Sequence, residues 1–145
     1  MSTDRTERTA PLVTARDVSV TLRGQHVLRD IDLDLPTGQT LVVIGESGCG
    51  KTVLLKTLIG LIQPNVGEVL FDGKNLSKLS DRELTRQRLR IGFLFQSAAL
   101  FDSMSVGNNV AFPLRERGQM SGSDIRQRVL SLVKEVGLPE SVVTK

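Results

Sequence analysis

The sequence predicts an α/β fold in which an antiparallel β part precedes strand–helix units. Residues 15–35 alternate apolar and polar side chains, as half-buried strands do. Residues 41–44 form a short continuous apolar run, which is typical of a strand buried on both faces. Residues 51–62 then carry apolar side chains at helical spacing. A chain of 145 residues, 39% of them hydrophobic, is long enough to bury one core.

The first predicted elements are the two strands of a hairpin. Val18 and Val20 alternate on the first strand, and Gly24 marks the turn. On the second strand the apolar residues alternate with aspartates, which predicts one face in the core and one in water; these apolar residues are Ile31, Leu33 and Leu35. The buried strand and the amphipathic helix follow, and Pro64 ends that helix.

The middle of the chain predicts one more strand and one more helix. Residues 68–71 read as a strand that enters a tight turn at residues 72–73. Ser80 and Glu83 have the spacing of a capping box, in which each side chain meets the backbone of the other residue. We therefore expect a helix to open after Ser80 and to run to about Arg88.

The last third begins with another short apolar strand at residues 91–95. A short helix is expected over residues 105–111, because Pro113 would stop it. Residues 115–122 read as a polar loop. The final helix has apolar residues at helical spacing and a cap at residue 123 or 124.

The composition excludes several classes of protein and of site. The chain has five Phe but no Tyr or Trp, so no base can stack on Tyr or Trp within it. Cys49 is the single cysteine, which excludes an internal disulfide and indicates a reducing compartment. The net charge is +3, but basic and acidic residues alternate, which predicts a solvated surface and no nucleic-acid partner. We expect a flexible polar tail over residues 1–14, without the apolar region of a secretory signal.

A glycine-rich segment carries the main chemical signal. Residues 45–52, Gly-Glu-Ser-Gly-Cys-Gly-Lys-Thr, match G-x-x-x-x-G-K-[ST] at every fixed position, between the predicted buried strand and the predicted helix. Glycines allow backbone N–H groups to surround a phosphate, and the helix N terminus adds a partial positive charge. Lys51 would pair with the β- and γ-phosphates, and Thr52 would offer its hydroxyl to Mg²⁺.

Phosphate loops occur in many classes of enzyme, and the rest of the sequence excludes only some of these classes. The N-K-x-D motif of a GTPase does not occur. The arginines at positions 82, 86, 88 and 90 could be the lid arginines of a small nucleotide kinase, so a P-loop kinase stays open as an alternative. Gln96 follows the predicted strand at 91–95, where its carbonyl oxygen can meet the metal and its amide the attacking water.

From residue 15 to 145 the chain resembles the first part of an ABC transporter nucleotide-binding domain. The resemblance rests on the hairpin ending in LDLPTG, the phosphate loop, the segment GEVLFDG and the glutamine at position 96. It implies a P-loop NTPase core with a RecA-like parallel sheet and an N-terminal antiparallel β part. The words LFQSAALF and NVAFPLRE are similar to those of ATPases of Mla-type phospholipid transporters, which act with an MCE-domain lipid-binding protein.

The resemblance also implies a site, its ligands and its partners. ATP with Mg²⁺ would be bound, Lys51 and Gln96 would act in catalysis, and Thr52 and Gln96 would hold the metal. Two such domains would form a homodimer on the cytoplasmic face of the inner membrane, where the segment from 98 to 114 would face a transmembrane permease subunit. The nucleotide would contact residues along the whole loop, namely Gly45, Ser47, Gly48, Cys49, Gly50, Lys51, Thr52 and Val53.

The sequence departs from the family pattern in two ways, and these departures bear on adenine binding and on activity. The family places an aromatic residue against adenine at about the position of Leu22, which is aliphatic here. The LSGGQ-type signature, the apolar strand ending in Asp-Glu and the switch histidine do not occur. We therefore expect residues 15–145 to be the N-terminal part of a larger ATPase domain, inactive alone. The alternative is a nucleotide-binding module that does not hydrolyse ATP, either a gene remnant or a subunit completed by another polypeptide.

Overall fold

The structure is a computed structural model that describes residues 10–96 and 99–145. It divides into two units, one up to Phe93 and one from Leu94 to Lys145. Most of the expected tail lies outside the described residues. Residues 97 and 98, which belong to the segment LFQSAALF, also lie outside them.

The first unit is built on a four-stranded antiparallel sheet. Its strands are β1 (Pro11–Leu22), β2 (Gln25–Pro36), β3 (Val66–Phe71) and β4 (Lys74–Asn75), in the order β2-β1-β3-β4. The predicted hairpin is confirmed, and β1 begins at Pro11, inside the segment expected as tail.

Both hairpin turns have the same backbone geometry. Arg23 and Gly24 have φ of 50° and 79°, and Asp72 and Gly73 have φ of 51° and 71°. Positive φ at both central residues is the type I′ geometry, whose twist matches the flanking strands. These φ angles confirm the turn that the sequence predicted at residues 72–73. Asp and Gly favour such a turn because both adopt positive φ more readily than most residues do.

Two helices cover one face of this sheet. They are α1 (Lys51–Leu58) and α2 (Asp81–Arg88). The capping box of α2 is confirmed, because the Glu83 carboxylate accepts from the backbone N–H of Ser80 at 3.0 Å and from its hydroxyl at 2.6 Å. These contacts lower the pKa of Glu83; the hydroxyl of Ser80 is the largest cause and its N–H the next.

The core of the first unit lies between the sheet and these helices. Among the described residues β1 contributes the largest share of this core, and a bulge between Ala15 and Val18 turns both side chains inward. Leu54 and Leu58 of α1 and Leu84 of α2 close the other side. The aliphatic core that the composition predicted is confirmed, with Phe71 as its one buried aromatic among the described residues.

The second unit is a helix pair with a short 3₁₀ turn. It contains α3 (Val106–Arg117), α4 (Gly122–Glu135) and the turn Glu140–Thr144. Ala111 packs against Ile125 and Val129 to form its core. Gly107 allows the close approach of the 3₁₀ turn, because a Cβ atom there would lie 2.4 Å from a methyl carbon of Val143.

The two segments predicted as buried parallel strands are not strands. Neither residues 41–44 nor residues 91–95 join the four-stranded sheet. Val42, Ile44 and Leu94 are 74%, 86% and 94% exposed. The local pattern was apolar enough for a strand, but a parallel strand also needs neighbouring strands on both sides, which local sequence does not supply.

Three predicted helix boundaries are also wrong. α3 runs through Pro113 to Arg117, because the helix face that packs on α4 outweighs the lost hydrogen bond, so much of the expected polar loop is helical. The cap of α4 is Ser121, whose hydroxyl accepts from the N–H of Asp124 at 3.2 Å. α1 ends at Leu58, four residues short of the predicted position, where the chain turns at Gly60 with φ of 71°.

A candidate phosphate-binding loop

The glycine-rich segment forms a loop that leads directly into α1. Gly50 is the N-cap residue of the helix, is buried and has φ of 99°. A Cβ atom at Gly50 would lie 3.0 Å from the carbonyl oxygen of Val27 and 3.2 Å from a methyl carbon of Leu28. Glycine is therefore required at this position both by the backbone conformation and by the close approach of β2.

The ammonium group of Lys51 lies inside the curve of this loop. Its Nζ atom donates to the carbonyl oxygens of Gly45 at 2.8 Å and Glu46 at 2.6 Å, and lies 3.6 Å from the sulfur of Cys49. A backbone hydrogen bond from Cys49 to Glu46, 3.4 Å long, closes the turn between them. The fold thus holds a positive charge in the concave side of the glycine-rich loop.

The start of α1 differs from the starts of the other α-helices. No side chain caps it, and, as in α3, its first turn holds no acidic residue. By contrast, α2 has its capping box, and Ser105 and Ser121 cap α3 and α4. The first N–H groups of an α-helix have no partner within the helix, so α1 presents uncapped donors and the positive end of its dipole beside Lys51.

The remaining predicted loop residues fall into two groups. Ser47, Gly48 and Cys49 are exposed, and a Cβ atom at Gly48 would meet nothing within 4 Å, so the space beside the loop is open. Thr52 is exposed on the first turn of α1, whereas Val53 packs against the core. The first group and Thr52 can be reached by a ligand.

Other predicted site residues lie away from this loop in the chain. Gln96 is an exposed bend residue of the second unit. Leu22 is 38% exposed and pairs with Gln25 beside the hairpin turn of the first unit. Within residues 10–96 and 99–145, no group of three or more His, Cys, Asp or Glu side chains is placed to hold a metal ion.

Sequence reasoning missed two supporting contacts. One is the packing of Val27 and Leu28 on Gly50, for which the last glycine of the motif was the available signal. The other is Asn109, whose side chain accepts from the N–H of Phe101 at 2.8 Å and donates to three carbonyl oxygens of residues 101–105. The residues next to Asn109 do not predict these hydrogen bonds, because the bonds depend on the path of the loop at residues 101–105.

The model of the protein family described as ABC transporter matches residues 28–145 of the chain. The intermembrane phospholipid transport system ATP-binding protein MlaF of Haemophilus influenzae is 46% identical over 117 residues, which are 80% of this chain and 44% of that protein. The probable ribonucleotide transport ATP-binding protein mkl of Mycobacterium leprae is 44% identical over 115 residues, 79% of this chain and 33% of that one. The chain thus spans less than half the length of these relatives.

A solved structure supports the same assignment. The ATP-binding cassette MJ0796, a dimer in a post-hydrolysis state bound to ADP and Pi, superposes with a TM-score of 0.79 at 31% identity. The superposition covers 91% of this chain and 60% of that one, and it confirms the predicted fold class. No helix within the described parts of the chain has the length and apolar character needed to cross a membrane. The family match over residues 28–145, the relatives and the cassette fold together show that the chain belongs to the ABC transporter family.

Proposed function

We propose that this chain is the ATP-binding part of an ABC transporter subunit that drives phospholipid transport. One observation carries the nucleotide-binding half of the proposal: the Lys51 ammonium lies between the carbonyl oxygens of Gly45 and Glu46, beside the uncapped start of α1. A cation, uncapped N–H groups and a helix dipole at one place favour a polyphosphate anion.

The residues of the loop fit the phosphate groups of ATP. The ammonium of Lys51 would exchange the neutral carbonyl oxygens of Gly45 and Glu46 for charged phosphate oxygens, which form stronger hydrogen bonds. The backbone from Gly45 to Thr52 would supply the N–H donors, with Gly48 leaving room beside them. Hydrogen bonds of this kind orient the terminal phosphate for attack by water without any covalent step on the protein.

Magnesium fits the same site through oxygen ligands. The hydroxyl of Thr52 is exposed on the first turn of α1, one residue after Lys51. Gln96 is our second proposed ligand, through its side-chain carbonyl oxygen. When bound, Mg²⁺ neutralises charge on the phosphate oxygens. Both ligands are neutral, which suits a cation that keeps several waters and binds mainly to phosphate.

The transport half of the proposal concerns the substrate and the partners. A relative at 46% identity is named as part of an intermembrane phospholipid transport system, which supports phospholipid as the substrate. We propose that two copies of the subunit associate and that a permease spanning the inner membrane binds them from the cytoplasmic side. The dimeric MJ0796 cassette supports the pairing. We further propose that an MCE-domain protein receives or delivers the lipid.

Transport by a reconstituted complex tests this function. This chain spans less than half the length of its relatives. The tagged chain is therefore purified together with the polypeptide that supplies the rest of the proposed ATPase domain and with the membrane proteins that accompany it, and is placed in vesicles that contain a fluorescent phospholipid. Mg-ATP should drive phospholipid to acceptor vesicles for the wild type and for Lys56→Ala, which removes a lysine from the last turn of the same helix. Lys51→Ala should stop the transfer. Transfer of ribonucleotides in place of phospholipid would contradict the proposed substrate.

A further inference from the structure

A cavity of about 300 Å³ lies between α3, α4 and the 3₁₀ turn of the second unit. Its floor is apolar, formed by the buried residues Ala111, Ile125 and Val129 and by the partly buried Val143. This volume is at the lower end of the range for small-molecule sites, roughly 300–1,000 Å³. The cavity belongs to a different unit from the phosphate loop, and nothing in the proposed nucleotide chemistry uses it.

Two arginines line the same cavity. Arg115 of α3 and Arg126 of α4 both have exposed side chains, and no acidic residue is among the described residues of the lining. Neither guanidinium is in an ion pair within residues 10–96 and 99–145. Arg115 donates one hydrogen bond to the side-chain oxygen of Asn108 at 3.3 Å, which leaves most of its five N–H donors for another acceptor.

Two neighbouring arginines on the same helices differ from Arg115 and Arg126. Arg128 lies two residues after Arg126 on α4 and is paired with Glu135 at 3.0 Å. Arg117 lies two residues after Arg115 on α3 and does not line the cavity. The cavity therefore combines an apolar floor with a local excess of two positive charges, while adjacent positions are compensated or face elsewhere.

We propose that this cavity binds a small amphiphile with an anionic headgroup, an alkyl carboxylate or alkyl phosphate. The alkyl chain would lie in the cavity against Ala111, Ile125 and Val129, where burial of apolar surface is favourable. Arg115 and Arg126 would hold the headgroup, since guanidinium binds carboxylate and phosphate oxygens in pairs. A neutral headgroup would leave both charges unmatched, and a free anion would leave the apolar floor unused.

Binding of n-octyl phosphate to the full chain tests this assignment, below the micelle-forming concentration. Lys51→Ala is the background for every titration, so that the phosphate loop does not contribute. Binding is followed by calorimetry and by the methyl NMR signals of Ile125 and Val129. We expect saturable binding that shifts these two signals. Octyl glucoside, with the same chain and a neutral headgroup, and inorganic phosphate, without the chain, should each bind at least about tenfold more weakly.

Paired substitutions locate the headgroup. Arg115→Ala and Arg126→Ala should each weaken n-octyl phosphate binding at least about tenfold, the usual effect of losing a hydrogen bond to a charged group. Arg117→Ala and Arg128→Ala remove the same charge from the same helices and should leave binding unchanged. All four side chains are exposed, so the variants should keep the fold.

Several results would overturn the assignment. These are the absence of saturable binding, equal binding of octyl glucoside, equal binding of inorganic phosphate, and an equal loss in the Arg117→Ala or Arg128→Ala control. Any of them would show that the apolar floor and the two arginines do not act together on one ligand. Because the loop lysine is absent throughout, such a result would leave the proposed nucleotide site unaffected.

Discussion

Gly50 packs directly on the backbone of Val27: a Cβ atom at Gly50 would lie 3.0 Å from the Val27 carbonyl oxygen and 3.1 Å from a Val27 methyl carbon. The carbonyl belongs to β2 and is held in place by its two neighbours, because Leu28 pairs with Val20 and His26 pairs with Thr21 of β1. The antiparallel hairpin therefore fixes the end of the glycine-rich loop, and with it the first residue of α1, Lys51.

Gly50→Ala should destabilise the protein more than Gly48→Ala does. Gly48 has φ of 83° with open space around its Cα, so alanine there suffers only the backbone strain, about 1 kcal/mol. Alanine at Gly50 meets the same strain and also the Val27 carbonyl, and should lower the free energy of unfolding by about 2–3 kcal/mol. Urea unfolding of both variants measures the difference. Equal losses would mean that β2 does not constrain the loop.

Cys49 reports on occupancy of the loop by nucleotide. Its thiol is exposed and lies 3.6 Å from the Lys51 ammonium, inside the proposed phosphate site. Mg-ATP should therefore slow alkylation of this single cysteine by iodoacetamide several-fold, which mass spectrometry can follow. Adenosine, which lacks phosphates, is the matched control and should leave the rate unchanged. Protection by adenosine as strong as by Mg-ATP would place the thiol away from the phosphates.

Glu83 should make stability depend on pH in the acid range. Its pKa is lowered in the folded protein, mainly by the hydroxyl of Ser80, so the folded state favours the ionised form. The stabilisation is present above the pKa of an unfolded glutamate, about 4.3, and is lost as the pH falls through the lower folded value. Wild type should be more stable than Glu83→Gln at pH 7, and the difference should shrink toward pH 3.

A second variant separates this cap from the general effect of removing a carboxylate. Glu46→Gln removes the same charge from an exposed loop position, where no side-chain hydrogen bond is found among the described residues. Thermal melts at pH 7 and pH 3 should show the pH-dependent gap for Glu83→Gln only. A gap that is constant with pH would contradict the ionised capping box.

The sequence predicted the features that depend on a few adjacent residues. Short sequence patterns predicted two such features, each with a local physical cause: the turn at Asp72 and Gly73, and the capping box of Ser80 and Glu83. The glycine-rich segment likewise predicted a loop that leads into a helix at Lys51, where α1 begins. These features need no information about distant parts of the chain.

Features that depend on distant partners were not predicted. Residues 41–44 and 91–95 have the composition of buried strands, yet a strand requires a neighbouring strand to complete its hydrogen bonds. Pro113 is a helix breaker by its own chemistry, yet Ala111 of the same helix packs on Ile125 and Val129. The motif glycine at position 50 is compatible with a close approach, but the local sequence does not identify Val27 as the residue that approaches, because the two residues are far apart in sequence.

Binding of Mg-ATP by Lys51→Ala, compared with Lys56→Ala and the wild type, tests the central claim most directly. Both lysines belong to α1, but only Lys51 reaches the loop carbonyls. At 100 times the dissociation constant, Mg-ATP should stabilise the wild type and Lys56→Ala by about 2.7 kcal/mol and raise their melting temperatures. Lys51→Ala should show almost no rise at the same concentration. An equal rise in all three proteins, or none in the wild type, would contradict the assignment of residues 45–52 as the phosphate-binding loop.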